Sequence, residues 1–482
     1  MKSILKIILV FILIISYTGC SDYVEGINED PDSLVNSDAE NLFQGALLAN
    51  QFFHTSENAR DVMLWLNMGQ GENRQYVSLN NWNNSNATQF DNSWNFAYNT
   101  LTQCRLIQEK STLDLNPRLK GVAQVIEAHA MGTATALWGS IPYSQFKVNG
   151  SNLSPSYDNQ SQVYVKLQTV LDDAIINLSA TSGSGIPADK DIYFEGDESK
   201  WILLAHSLKA RYYLHSKNYL MAKTEALLGI NNPELDFKAQ FGNTYLQNFN
   251  PFYSFLVYDR DDYMSGNGYA ARLLDPSETV YRGNSKTDES ARFGFNYLNN
   301  GEYFEPYTLN IYGSDYGGTN GKFGSDSPMP LVTYGEMLLI IAEADARIGV
   351  EDGLTSYNIY RALIDTGYSI GIDNTGYDGA TFNYDAYSIE DFDAGGIENA
   401  DNITPLNALL RENYEERYVY FIGSYEAFTD FGRSNNIAEI QLKSGYSGSA
   451  QRFIYPQVEI NSNRANVPIP IPKITEKTPA NL

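Results

Sequence analysis

Cysteine and histidine are nearly absent from this chain. Cys20 and Cys104 are the two cysteines in 482 residues, and once Cys20 is modified no intramolecular disulfide remains. The fold must then rest on its hydrophobic core, which a chain of this length can supply. There are four histidines, His54, His129, His206 and His215. No HExxH, GxSxG, P-loop or CxxC pattern occurs, so the usual signatures of metal, nucleophile and phosphate chemistry are missing. Basic charge is also short. Lys and Arg number 33 against 58 Asp and Glu, a net charge of −25. That balance excludes a nucleic-acid-binding surface, which needs a basic footprint, and argues against adsorption to anionic phospholipid. The apolar run Ile7–Ile15 holds nine residues, far short of the roughly 20 that span a bilayer.

Tyrosine, by contrast, is abundant: 35 Tyr beside 23 Phe and 8 Met. A Tyr ring offers an apolar face with a polar tip, which suits sugars and aromatic or peptidic ligands. The N-terminus has its own pattern. Lys2 and Lys6 precede or enter Ile7–Ile15, and the stretch ends Tyr17-Thr18-Gly19-Cys20. A basic start, a short apolar centre and small residues at the end make a signal peptide. Cys20 directly after Thr-Gly resembles the bacterial lipobox, with Tyr17 departing from its usual aliphatic residue. The expected organisation is a lipoprotein signal peptide at 1–19, a lipidated polar tether at 20–40 and a single domain at 41–482. More than one acyl chain on Cys20 would anchor the protein stably to a membrane.

Helical periodicity predicts the scaffold. Residues 120–138 place Val122, Val125, Ile126 and His129 on one stripe, with Ala128, Ala130, Gly132, Ala134 and Ala136 allowing close helix approach. The helix should stop at Gly139, with Pro142 beyond. Asp197 reads as the N-cap of a helix over 198–216, residues 333–347 form another, and Thr404-Pro405 open a fourth that runs to about Tyr420. Weaker patterns cover 41–53, 90–109, 161–178, 217–229 and 353–366. Their near-adjacent pairing suggests helical hairpins, although no strict 34-residue period exists. Long polar or aromatic stretches lie between them, at 70–90, 240–330, 367–403 and 440–482, and loops of that length are usually functional.

Catalysis finds little support. His129, on an apolar helix face, reads as a core residue. The glycine-rich Gly266–Ala271 mimics a GxGxxA turn but is expected to lack a strand before it and a helix after it. Asp259, Asp261 and Asp262 would be paired carboxylates of the kind glycosidases use, but read as a solvated acidic turn. Glu336 and Glu343 read as structural, Glu343 standing i, i+4 to Arg347. No enzyme activity and no cofactor are expected. Asp373, Asp378 and Asp385, or Asp391, Asp393 and Glu398, offer the oxygen chemistry of a structural Ca²⁺ site, though neither set has EF-hand spacing. Sugar binding is better motivated. Trp82 sits among Asn81, Asn83 and Asn84 in a stretch without helical or strand pattern, and is expected to be exposed. With Tyr76 it makes the first candidate ligand surface. Tyr263, Tyr269 and Tyr307, in the Tyr-rich segment 253–316, make the second; the segment also holds Tyr253, Tyr258, Tyr281, Tyr303, Tyr312 and Tyr316, and several of its nine rings are expected at the surface. Trp94, with Tyr98 four residues on, reads as helix core.

Six segments, in order, resemble the SusD/RagB-like family of outer-membrane nutrient-binding lipoproteins, and its SusD-like 2 branch in particular. They are INEDPDSL (27–34), EAHAMGTATALWGSIPYSQF (127–146), GDESKWILLAHSLKARYYLH (196–215), MPLVTYGEMLLIIAEADAR (329–347), YEAFTDFGRSNN (425–436) and QRFIYPQVEINSNRANVP (451–468). Trp138, Ser140 and Gly432 depart from the family pattern. The resemblance implies a mainly α fold, a tetratricopeptide-like hairpin scaffold with long irregular loops and minor β structure. It implies a lipid-anchored location on the exterior face of a Gram-negative outer membrane. It also implies a partner, a SusC-like TonB-dependent transporter, and an oligosaccharide ligand. A peptide ligand, as for RagB, is the alternative; a surface glycosidase ranks below both.

Overall fold

The computed structural model describes residues 37–148, 151–244, 247–299, 306–312, 321–370 and 380–482. Cys20, the signal segment, most of the tether, Tyr303, Tyr316, Asp373 and Asp378 lie outside the described residues.

Eleven of the helices build the scaffold: α1 (Ala39–Thr55), α2 (Glu57–Trp65), α3 (Asp91–Leu113), α4 (Pro117–Trp138), α5 (Gln160–Leu178), α6 (Glu198–His215), α7 (Tyr219–Ala226), α8 (Tyr334–Ala346), α9 (Val350–Ile364), α10 (Pro405–Tyr420) and α11 (Tyr425–Ser434). Three-residue connections join α3 to α4, α6 to α7 and α8 to α9, and connections this short return the chain antiparallel. The helices stack in sequence: α1 on α3, then α4, α5, α6, α7, α8 and α9, with α10 closing on α8 and α9. This is the expected row of helical hairpins. The starts follow from capping. Asp197, Thr333 and Thr404 accept from the backbone N–H groups of Ser199, Glu336 and Asn407, and Pro405 takes the first helical position. Asn116 and Pro117 do the same for α4.

The small residues of α4 make the close approach that the sequence suggests. A Cβ on Gly132 would stand 2.0 Å from the ring of Tyr212 on α6, whose hydroxyl donates to the Ala128 carbonyl at 2.7 Å. His129 is fully buried, bonded to Asn50 and stacked on His54 at 3.8 Å. Trp94 is buried against Tyr98. Both are core residues, as expected.

Buried ion pairs cross between hairpins. Arg211 on α6 donates twice to Glu336 on α8, each at 2.6 Å, and once to the Leu331 carbonyl. Burial works against the Arg211 charge, and Glu336 and Glu426 overcome it. Arg433 donates to both oxygens of Glu343 and to Asp430, which also receives Arg417. The segments that carry the family resemblance are therefore structural fasteners. Burial disfavours the ionised form of Glu343, but the charge and hydrogen bonds of Arg433, with Arg417 and Tyr414, outweigh it and hold the carboxyl down at about 2. A depressed carboxyl contributes stability that is fully present above its ordinary value of 4.5 and is lost as pH falls toward about 2. Circular dichroism melts across that window should show a falling midpoint, and Glu343→Gln should flatten the slope. An unchanged slope in the variant would sink this assignment.

The stretches between helices are less irregular than their composition suggests. Residues 70–90 hold a short helix (Arg74–Leu79) and two 3₁₀ turns (Trp82–Asn84 and Ala87–Phe90). Asn81 and Asn86 accept from the backbone of those turns, so this asparagine density is partly turn chemistry. Among the described residues five two-stranded antiparallel pairings of short strands occur, and they tie down parts of 240–330 and 367–403. One pairs Gln70–Gly71 with Met264–Ser265. The expectation for Gly266–Ala271 is therefore corrected: a strand precedes it, and a helix, Tyr269–Leu274, follows. Its glycine serves packing. A Cβ on Gly268 would lie 2.5 Å from the Asn67 carbonyl and 2.7 Å from the Gly69 nitrogen. Among the described residues no helix is long and apolar enough to cross a membrane.

Candidate functional site

The aromatic residues singled out as ligand candidates are inside, while Tyr258 and Tyr312 of the Tyr-rich segment are exposed. Trp82 is 1 % exposed, which corrects the expectation of an open platform. Its indole Nε1 has no hydrogen-bond partner among the described residues, and its ring meets Tyr446 edge-on at 5.7 Å. Tyr76 and Tyr263 come together at 5.9 Å beside Phe255, and Arg60 lies over the Phe255 ring at 4.2 Å while donating to the Tyr76 hydroxyl. Tyr307 is buried with its hydroxyl 2.8 Å from Asp275 and 2.9 Å from Glu278. Tyr269 is buried at the start of its short helix. Asn83 is exposed, and the Asn81 side chain accepts from its backbone at 3.1 Å. A Tyr ring is large enough to fill core volume while its hydroxyl finds a local acceptor, so abundance alone does not separate surface rings from core.

The strand pairing at Gln70–Gly71 opens a cleft of about 500 Å³ that none of these seven residues lines. Its wall is made of amides and cations: Asn67, Gln70, Asn80, Asn267, Gln441, Arg272 and Lys443, with Tyr446 at the mouth. Each is placed by backbone. Asn67 follows the end of α2 with φ 57°, a left-handed conformation that Asn tolerates. Its amide donates to the Gln441 carbonyl at 2.7 Å and its oxygen accepts from Lys443 at 3.1 Å. Asn80 pairs both ways with the backbone of Gly71, at 2.8 and 2.9 Å. Lys443 also donates to the Gly69 carbonyl at 2.6 Å. Tyr446 is 36 % exposed in a loop between Gly445 and Gly448, with buried Trp82 supporting its ring.

A second cleft of about 510 Å³ shares Gln441 and has the opposite character. Glu398, Asp401, Glu412, Glu415 and Glu439 line it with Arg282 and Arg411, and Tyr269 and Tyr281 stand at its side. Arg282 pairs with Glu289, Glu412, Glu415 and Glu416. Burial, opposed by Arg282 and helped by neighbouring glutamates, pushes Glu412 up to about 8.

The remaining sequence candidates separate. Asp259, Asp261 and Asp262 are exposed on their turn. Asp391 pairs with Lys286 at 2.6 Å, and Glu398 accepts from Asn284 and Tyr387. Among the described residues no group of three or more His, Cys, Asp and Glu is arranged to hold a metal ion. The cleft residues escaped sequence reasoning because they come from four separate segments. The available signal was Lys443-Ser444-Gly445-Tyr446, a cation and an aromatic ring in a glycine-rich loop.

A family model described as starch-binding and associating with the outer membrane, SusD-like in type, matches residues 28–388. Among curated proteins, none matches the chain. Similar solved structures include a SusD/RagB family protein from Bacteroides thetaiotaomicron, 20 % identical with a TM-score of 0.64, covering 89 % of this chain and 95 % of that one. A SusD homologue from Bacteroides uniformis is 19 % identical with a TM-score of 0.64, covering 88 % and 95 %. A chitin-binding SusD homologue from Flavobacterium johnsoniae is 16 % identical with a TM-score of 0.62, covering 91 % and 98 %. At these identities the structures show the fold, and the family model shows membership: the chain belongs to the SusD-like family of starch-binding proteins that associate with the outer membrane.

Proposed function

We propose that this protein is a non-catalytic, glycan-binding lipoprotein on the exterior face of a Gram-negative outer membrane. Acylated Cys20 would hold it there, and it would pass oligosaccharides to a SusC-like TonB-dependent transporter. The observation that carries this reading is the amide-lined cleft with Tyr446 at its mouth. Amide side chains both donate and accept, which matches sugar hydroxyls, and a half-open Tyr ring offers a flat face for the C–H face of a pyranose. The starch-binding description of the family and a chitin-binding structural relative support a carbohydrate ligand. The peptide alternative rested on an acidic surface suited to basic peptides. The cleft itself carries Arg272 and Lys443, which disfavours them.

The test is calorimetric titration with a panel of neutral and acidic oligosaccharides. At least one should bind, and Tyr446→Ala should weaken it by about tenfold, or about 1.4 kcal/mol. Trp82→Ala should act on binding only through the loss of support under Tyr446. Unchanged affinity in Tyr446→Ala would remove this cleft as the site, and release of shortened sugars by the purified chain would overturn the non-catalytic reading.

A further inference from the structure

Among the described residues, Arg272 and Lys443 are the charged residues that line the amide cleft, with no Asp or Glu beside them in its lining. This stands out in a chain with 58 acidic and 33 basic residues. Buried Arg211, Arg282, Arg292, Arg417 and Arg433 each meet a carboxylate within ion-pair distance, while buried Arg361 and Arg452 are held by neutral oxygens inside the fold. Arg272 is half-buried, and among the described residues its side chain has no hydrogen bond or ion pair. Lys443 donates to two neutral acceptors, Asn67 Oδ1 and the Gly69 carbonyl. An ammonium has three donors, so one is left for a ligand. The opposing charge that acts on Lys443 is Glu72, whose oxygens already accept from the Ser265 hydroxyl and the Gln70 amide. Burial first, and then Arg272, depress Lys443 to about 7 against the pull of Glu72. Two cations thus line the same cleft, and among the described residues neither has a carboxylate within ion-pair distance.

We infer that this cleft takes its glycan by a negatively charged substituent, a uronate carboxylate or a sulfate ester, held between Arg272 and Lys443. The inference rests on the glycan-binding reading above and names the ligand class. Charge-assisted hydrogen bonds are roughly twice as strong as neutral ones, and the planar guanidinium fork matches a carboxylate or a sulfate in a way a neutral hydroxyl does not. The amide hydrogen and lone pair that Asn67 and Asn80 each keep beyond their bonds to Gln441, Lys443 and Gly71 then address the sugar hydroxyls, and Tyr446 covers a ring. The acidic cleft across Gln441 sets register, because Glu398, Glu415 and Glu439 repel the anionic substituent from the neighbouring position. The net charge of −25 opposes approach of an anion over long range, but a Debye length of about 8 Å at physiological salt confines that repulsion. The local cation pair then decides affinity.

The experiment titrates the purified full-length chain with matched pairs: oligogalacturonate against its methyl ester, and a sulfated galactan oligosaccharide against its desulfated form. Maltohexaose and a triglutamate peptide complete the set. At least one acidic member should bind about tenfold or more tighter than its neutral counterpart, and which pair shows the preference tells carboxylate from sulfate. Arg272→Gln, which removes no hydrogen bond or ion pair among the described residues, should bring the acidic ligand down to about the affinity of its neutral counterpart, so that the preference within the pair disappears. Lys443→Gln should reduce the same preference, and also loses the hydrogen bonds to Asn67 and Gly69. Equal affinities within both pairs, with Tyr446→Ala still weakening them, would overturn the charged-ligand inference and leave the glycan reading intact. Binding of triglutamate with no glycan bound, or no binding of any glycan, would overturn both.

Discussion

Arg211→Met is expected to lower the stability of the whole scaffold by about 3–5 kcal/mol, because it strands buried carboxylates without their cation. Arg211 is 2 % exposed and Glu336 0 %. The two are joined by a pair of 2.6 Å hydrogen bonds that cross from α6 to α8, and Glu426 on α11 stands 3.6 Å from the same guanidinium. The Met side chain fills much of the volume but leaves Glu336 to be neutralised inside the core. It also orphans the Leu331 carbonyl, which accepts from Arg211 at 2.7 Å, and with it the strand Met329–Val332 that pairs with Phe237–Ala239. The effect should therefore spread beyond one helix pair. Urea unfolding followed by circular dichroism measures it. Arg211→Met combined with Glu336→Leu should recover most of the loss, since a well-packed apolar pair replaces a buried ion pair at little cost. A single variant that unfolds at the wild-type midpoint would show that the pair carries no net penalty when broken.

The second large effect is expected at Trp138, where truncation to Ala should cost about 3–5 kcal/mol. Trp138 is fully buried at the end of α4, with Trp94 and Phe453 packed on it edge-on at 5.2 Å and Phe53 stacked at 6.3 Å. It also holds the C-terminal segment. Its Nε1 donates to the Ile454 carbonyl at 2.9 Å, Arg452 donates to its own carbonyl, and Tyr455 reaches the Ser140 carbonyl at 2.7 Å. The loop carrying Lys443 and Tyr446 leads directly into this segment. Trp138→Ala should thus open residues 440–482 to proteolysis and weaken ligand binding as well. Trp138→Phe keeps most of the ring packing and loses one hydrogen bond, so it should cost only about 1–3 kcal/mol. Equal protease resistance of wild type and Trp138→Ala would separate the C-terminal segment from this core.

The difference between what was legible and what was not shows in single residues. Thr404-Pro405 and Asp197 announce helices whose starts the structure reproduces, because a cap and its helix lie within one turn of chain. The alanines and Gly132 on α4 announce a close neighbour without saying which, and Tyr212 proves to be the neighbour. Trp82 fails in the other direction. Its Asn-rich surroundings read as an open loop, but the asparagines cap turns, and the ring lies beneath Tyr446, which is 364 positions further on (446 − 82). No local pattern records a contact at that separation.

By itself the sequence determined the helical hairpin scaffold, since amphipathic spacing and capping are local, and it determined the family, since the buried fasteners Arg211, Glu336, Glu343, Asp430 and Arg433 fall in recognisable segments. Tertiary structure alone decided which of the described tyrosines face solvent and where cations stand without an ion pair. Both depend on which segments the strand pairing of Gln70–Gly71 with Met264–Ser265 brings together. Burial and charge compensation are properties of neighbours in space, and Asn67, Asn267, Arg272 and Lys443 become neighbours only once the chain has folded.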